Sequence, residues 1–186
     1  MPTVPKTSPE SIVKAARRLV ARGGAPGLSL QSVARAVGVQ APSLYKHFDD
    51  RTALLRAVAV EASRELAAAQ LAAAGAEGPL ERRLEAVARA QRDFARRQPH
   101  LYALVFDAHV RLERSPKDQQ QLEALFALLA EWMGGGEEVL EGARLLTAFV
   151  HGFASMERAG AFQLGGDVDR AFDFGLKRVL RALKGR

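Results

Sequence analysis

The sequence predicts an all-α protein, and three observations carry that reading. Along its 186 residues the apolar side chains recur at three- and four-residue spacing, and no β-branched run bounded by turn formers appears. Glycine and proline gather at a few places and cut the periodic stretches into helix-sized pieces. Residues 29–51, from Ser29-Leu30-Gln31 to Asp49-Asp50-Arg51, read as two short helices pivoting on Gly38 with a further helix starting at Asp50. That is the pattern of a helix-turn-helix DNA reader.

Residues 1–7 are expected to form a loose arm. Ser8 as N-cap, Pro9 at the first helical position and Glu10 near the positive helix end open the first helix. Ile12, Ala15, Ala16, Leu19 and Val20 form its apolar stripe, and Gly23 and Gly24 end it. Ser29 caps the second helix, Val33, Ala34 and Val37 give it a buried face, and Gly38 offers the positive φ of a sharp turn. Val39, Leu44 and Phe48 then anchor a third, reading helix from below. This leaves Gln40, Ala41, Ser43, Tyr45, Lys46 and His47 on the outer face, where a duplex would lie. Tyr45 and His47 also have a plainer reading, as residues packed against the first or fourth helix.

Asp50 caps a long fourth helix with Leu54, Leu55, Val58, Ala62 and Leu66 on one side, running to about Ala74. Such a helix spans on the order of 35 Å, enough to connect two lobes mechanically. Gly75 and Gly78-Pro79 mark the next boundary. Leu80, Leu84, Val87, Ala88, Gln91, Phe94 and Ala95 trace a fifth helix, with its arginines expected on the other faces, until Pro99 interrupts it. A shorter helix follows through Leu101, Leu104, Val105 and Ala108. Ser115-Pro116 caps the next, with Leu122, Leu125, Phe126, Leu129 and Met133, and Gly134 to Gly136 break it. Glu137 and Glu138 open a helix to Ala159 that is apolar on more than one face and so must be covered on several sides. Gly165-Gly166-Asp167 opens the last, with Phe172, Leu176, Val179, Leu180 and Leu183 on one side and Lys177, Arg178, Arg181 and Lys184 near its negative end. The expectation is about nine helices.

Charge is distributed unevenly. Up to Phe48, the bases Lys6, Lys14, Arg17, Arg18, Arg22, Arg35 and Lys46 face one acid, Glu10, and this balance equals the net charge of +6 of the whole chain. A polyanion would therefore dock on the first quarter, while the neutral remainder has a different job. With no cysteine there is neither a disulfide framework nor a thiolate metal site, which suits a reducing cytoplasm. The N-terminal residues do not resemble a signal peptide, and no apolar run approaches the roughly 18 residues of a membrane span. Arg outnumbers Lys and Asn is absent, a bias of GC-rich coding or of a hot habitat.

On these residues, 8–66 resemble the TetR family of bacterial transcriptional regulators. The resemblance rests on Val33-Ala34, Gly38-Val39, Leu44-Tyr45-Lys46-His47-Phe48, Arg51 and Leu54-Leu55. Residues 146–183, with His151-Gly152, look like the regulatory domain of one branch, although Phe149 stands where that branch commonly has Trp ahead of the His-Gly pair. The resemblance implies a three-helix DNA-binding domain, here residues 1–50, joined by the long helix to a ligand-binding and dimerisation domain, residues 51–186. It also implies a homodimer formed through the last two helices and a double-stranded DNA operator. The family's DNA contacts fall on Ser29, Gln31, Gln40, Ala41, Pro42, Ser43, Tyr45, Lys46, His47 and Arg51. Chemistry suggests roles for several. Tyr45 and the helix start at Ser29 suit phosphate, as does Arg51 by charge. Lys46 suits a guanine edge, and Gln31 or Gln40 an adenine. No Arg lies on the reading helix and no Asn exists, so specificity per half-site is expected to be modest and multiplied by dimerisation.

A regulator of this kind needs an effector pocket. Phe94, Tyr102, Phe106, His109, Phe126, Trp132, His151 and Met156 are the aromatic, polar-tipped or soft residues for lining one, and few acids stand among them to meet a cation. The effector expected is small and largely apolar. His100, Asp107 and His109 share no helical face, so no metal is expected. Nucleophile elbow, HExxH, phosphate loop and dinucleotide fingerprint are all missing, which speaks against an enzyme and against a cofactor. The Arg-rich helices would suit a membrane surface, but acids balance them. The alternative to a ligand-released repressor is an architectural or constitutive helix-turn-helix protein without an effector.

Overall fold

Reciprocal capping sets the first helix starts. In the computed structural model, which describes residues 8–184, the Ser11 N–H donates to Ser8 Oγ at 3.2 Å and the Ser8 N–H to Ser11 Oγ at 3.0 Å. This box opens α1, Pro9–Gly23, which Gly24 ends at φ 72°. The loose arm expected over residues 1–7 lies outside the described residues. A 3₁₀ turn at Ala25–Gly27 leads to a second box, Ser29 with Ser32 at 3.0 and 3.1 Å, and α2, Leu30–Val37. Gly38 closes α2 in the left-handed region at φ 76°, ψ 33°.

The reading segment departs from expectation. In place of an α-helix over 40–48 there is a 3₁₀ turn, Ala41–Ser43, in which the N–H groups of Ser43 and Leu44 donate to Gln40 and Ala41. The His47 and Phe48 N–H groups then both donate to the Leu44 carbonyl, at 2.9 and 3.0 Å. Pro42 supplies no donor, and four-residue spacing is reached only at Phe48, where the segment ends before an α-helix can propagate. The described residues therefore form eight α-helices rather than about nine. Asp50 accepts the Ala53 N–H at 2.7 Å and opens α3, Arg51–Ala74. The remaining helices are α4 (Leu80–Arg97), α5 (Pro99–Val105), α6 (Pro116–Met133), α7 (Val139–Arg158) and α8 (Val168–Leu183). None is long and apolar enough to cross a membrane.

The chain forms two compact units that do not follow its linear order. One runs to Ser63 and takes in Gln98–Glu113, and the other comprises Arg64–Arg97 and the chain from Arg114. A boundary at residues 50 and 51 follows the start of α3, whereas the first half of α3 belongs to the first unit. In that unit α1 packs against α2 and against α5. Ile12, Ala16, Val20, Val33, Leu44, Leu54, Val58, Leu101 and Tyr102 are buried there. A Cβ at Gly24 would sit 3.3 Å from His100 Nδ1, which shows how closely α5 meets the end of α1.

The second unit packs α4, α6, α7 and α8 around Leu84, Ala88, Leu128, Leu129, Val150, Phe172, Leu176 and Leu180. One arginine of α4 contradicts the expectation that all face outward, because Arg92 is only 5% exposed. It is tolerated because it is fully paired. Its Nε and Nη2 donate to the two Glu157 oxygens at 2.8 Å each, and Nη2 lies 2.8 Å from Asp169 Oδ1. The guanidinium also lies over the Phe172 ring, 4.6 Å from its centroid. Two glycines permit close helix approach. A Cβ at Gly175 would lie 2.7 Å from the Phe149 ring, and one at Gly142 2.5 Å from Met133 Sδ.

Within the same unit Asp118 joins the start of α6 to α3. It accepts from Arg64 Nε and Nη2 at 2.8 and 3.1 Å and from the Ser115 backbone N–H at 2.9 Å. The Arg64 hydrogen bonds, then those from Ser115, hold its carboxyl well below the usual carboxylate range. Because folding lowers this pKa, the pair's stabilisation is complete above the unfolded value of 3.8 and is lost as pH falls from there toward the folded value. Thermal unfolding followed by circular dichroism should thus weaken with acid below that value in the wild type and weaken less in Asp118→Asn. Parallel pH profiles would refute the assignment.

Candidate nucleic-acid interface

Local capping and the left-handed turn place the candidate residues. With Gly38 turning the chain away from α2, Leu44 is fully buried while Val39 and Phe48 are half-buried beneath the reading segment. Gln40, Pro42, Tyr45, Lys46 and His47 are exposed, and Ala41 and Ser43 are half-buried. Tyr45 is 57% exposed, so the packing role open to it and to His47 in the sequence is not the one they adopt. Ser29 and Gln31 are exposed at the start of α2, where Ser29 Oγ accepts the Ser32 N–H. Lys14, Arg18, Arg22 and Arg35 are also exposed. Glu10, the single acid before Phe48, has its pKa lowered chiefly by the Ser8 hydroxyl and least by the charge of His47.

Arg51 stands apart from the rest of this row. Its guanidinium is turned onto the chain itself, with Nε donating to the Leu28 carbonyl at 2.8 Å and Nη2 to the Ala25 carbonyl at 2.5 Å. Sequence spacing gives no hint of this, because the partners lie more than twenty positions away.

The eight residues considered for an effector pocket are not brought together within either unit. Tyr102, Phe106 and His109 belong to the first, and Phe94, Phe126, Trp132, His151 and Met156 to the second. Phe94 and Tyr102 are buried core residues, with Tyr102 tilted against Phe106 at 4.8 Å between centroids. The His109 side chain is 95% exposed, and Asp107 Oδ1 accepts its backbone N–H at 2.9 Å and lies 3.0 Å from its Nδ1. Trp132 donates its indole N–H to the Leu180 carbonyl at 2.9 Å. His151 is half-buried, 3.5 Å from Ser155 Oγ, and burial, then the charge of Arg158, lowers its pKa. Phe126 and Met156 are exposed. Among the described residues no three His, Cys, Asp or Glu are placed to hold a metal ion.

A capped helix, a left-handed turn and an exposed polar row on a basic N-terminal unit define a helix-turn-helix DNA-binding protein. Residues 12–58 match the bacterial regulatory proteins of the tetR family, and residues 84–179 match the tetracyclin repressor-like C-terminal domain. The chain belongs to the TetR family of transcriptional regulators. It is 25% identical over 173 residues to an uncharacterised HTH-type transcriptional regulator of Bacillus subtilis, covering 92% of this chain and 90% of that one. Among solved structures it is similar to a protein of unknown function from a Rhodococcus species, with a TM-score of 0.78, 26% identity and coverage of 99% and 100% of the two chains. It shares its fold with TetR from Acinetobacter baumannii in complex with minocycline, with a TM-score of 0.72, 20% identity and coverage of 95% and 96%.

Lys46 offers the most flexible donor on the exposed row. Lys46→Ala should cost roughly 1 to 3 kcal/mol on a specific duplex and relax preference at one base pair. Equal losses on specific and random DNA, measured by gel shift, would remove it from base reading.

Proposed function

We propose that the chain is a repressor that binds a palindromic operator as a homodimer and is released by a small, largely apolar effector. Residues 1–50 read the DNA, and residues 51–186 dimerise and take the effector. The observation that carries this reading is the exposed row from Gln40 to His47 beside the capped start of α2, on the part of the chain that holds all its net positive charge. Ser29, Tyr45 and His47 contact phosphate, while Gln31, Gln40 and Lys46 meet base edges with Ala41, Pro42 and Ser43 against the groove wall. Each reading head enters the major groove about 34 to 36 Å from its partner, or at a multiple of that distance.

Pairing through α7 and α8 is supported by apolar side chains that stay half exposed, one of them, Phe174, with the Arg178 guanidinium over one face of its ring. Leu145 and Met156 of α7 are each 50% exposed and Phe174 of α8 is 57% exposed. Gly152 lies mid-helix between Leu145 and Met156, and a Cβ there would meet no atom of the described residues within 4 Å beyond its chain neighbours and its own helix backbone. A helical glycine costs about 1 kcal/mol against alanine, so one without an internal steric reason fits close approach by a second copy. An effector is supported by the minocycline carried by the TetR of similar fold and by the apolar Leu122 and Phe126, one turn apart and 40% exposed on α6. A ligand that favours the wrong spacing of the heads shifts the population off DNA, with α3 as the lever. Such a regulator works in the cytoplasm and needs no cofactor.

Selection of bound sites from random DNA should return an inverted repeat. Sequence-blind recovery would favour the constitutive, architectural alternative. Separately, Gly152→Leu should keep its helix content and shift from dimer to monomer in sedimentation, and an unchanged dimer would move the pairing surface elsewhere.

A further inference from the structure

The guanidinium of Arg51 joins two helix starts. It occupies the first position of α3, directly after the Asp50 cap, and its fork reaches back to the carbonyls of Ala25 and Leu28. Those carbonyls belong to the short connection between α1 and α2. Leu28 is 3% exposed and immediately precedes Ser29, the cap of α2. The Ala25 carbonyl also accepts the Leu28 N–H at 3.1 Å, so backbone and side chain close on the same oxygen. Two donors in a planar fork fix an orientation that a single ammonium cannot reproduce.

We propose that Arg51 is a positioning residue for DNA binding. It fixes the start of α2, with Ser29 and Gln31, to the first turn of α3 rather than lending its own charge to a phosphate. The proposal rests on the reading of the exposed row as the DNA face. On that reading α3 runs unbroken from Arg51 to Ala74, and a displacement of its first turn moves the phosphate-facing end of α2 with it. The same helix that leads away from the reading head is thereby tied to a backbone segment the DNA touches. Arg51 is itself exposed, so its substitution removes no core packing.

The test has one arm without DNA and one with it. In the full chain without DNA, Arg51→Lys and Arg51→Ala should both speed amide hydrogen exchange over residues 28–32, leaving α4 unchanged. Unaltered exchange in both variants would overturn the clamp. This arm holds even where the wild type selects no inverted repeat, an outcome that would instead sink the DNA reading. With DNA, gel shifts over a salt series use the inverted repeat selected by the wild type. Both variants should bind about tenfold more weakly, with the slope of log affinity on log salt preserved. Ser29→Ala should cost less in the Arg51→Ala background than in the wild type, because one acts through the other. A direct phosphate contact gives the opposite pattern: Arg51→Lys binds as wild type, Arg51→Ala shortens the slope by about 1, and the two substitutions add. That pattern would overturn the proposal.

Discussion

The left-handed turn at Gly38 is the constraint on which the functional face depends. A residue with a Cβ is strained at φ 76°, ψ 33°, and without that turn α2 would run on instead of redirecting the chain. The redirection puts Leu44 into the core of the first unit, and burial of that one side chain fixes which of its neighbours face water. The exposed row is thus a consequence of backbone geometry at one glycine and burial at one leucine. Polarity of the row itself plays no part in setting it.

The second unit obeys a different constraint. Its apolar core is closed by an arginine whose burial is tolerated because Glu157 and Asp169 both meet it and two aromatic rings lie beside it. Those partners sit on α7 and near the start of α8, so one charge on α4 fixes the ends of two helices together. Arg96, one turn along α4, reaches the same two acids at 3.8 and 3.0 Å, so loss of either acid leaves Arg92 its other partner while unbalancing a four-member network. Gly142 and Gly175 complete it by letting Met133 and the Phe149 ring lie against bare backbone. With α7 and α8 held this way, their apolar surplus at Leu145, Met156 and Phe174 is left facing outward.

Features decided by neighbours along the chain were legible in the sequence. Serine caps at positions 8, 29 and 115, the acid caps at 50 and 167, and the glycine stops at 24, 38 and 134 each depend on contacts within four or five residues. The reading segment was legible as to which face is buried but not as to its winding, because periodicity over nine residues does not separate a 3₁₀ turn from an α-helix. Long-range facts left no local trace. Arg92 falls on the buried face set by Leu84, Ala88 and Ala95, but periodicity reads an arginine as solvated unless its acids are known to be near. Likewise, the membership of α5 in the first unit and the reach of Arg51 to Ala25 and Leu28 depend on tertiary packing alone.

Trp132 is the chain's single tryptophan, and its indole is bonded to the Leu180 carbonyl with the Lys184 ammonium 5.2 Å from its ring centre. Emission excited at the red edge of the absorption band, where tyrosine hardly absorbs, therefore samples one place only, the seating of α6 against the end of α8. The reading unit contains no tryptophan, and its two tyrosines, Tyr45 and Tyr102, stay silent under that selective excitation. Intrinsic fluorescence will register a change in the last helix without interference from events at the turn, giving the chain a built-in reporter for half of its architecture.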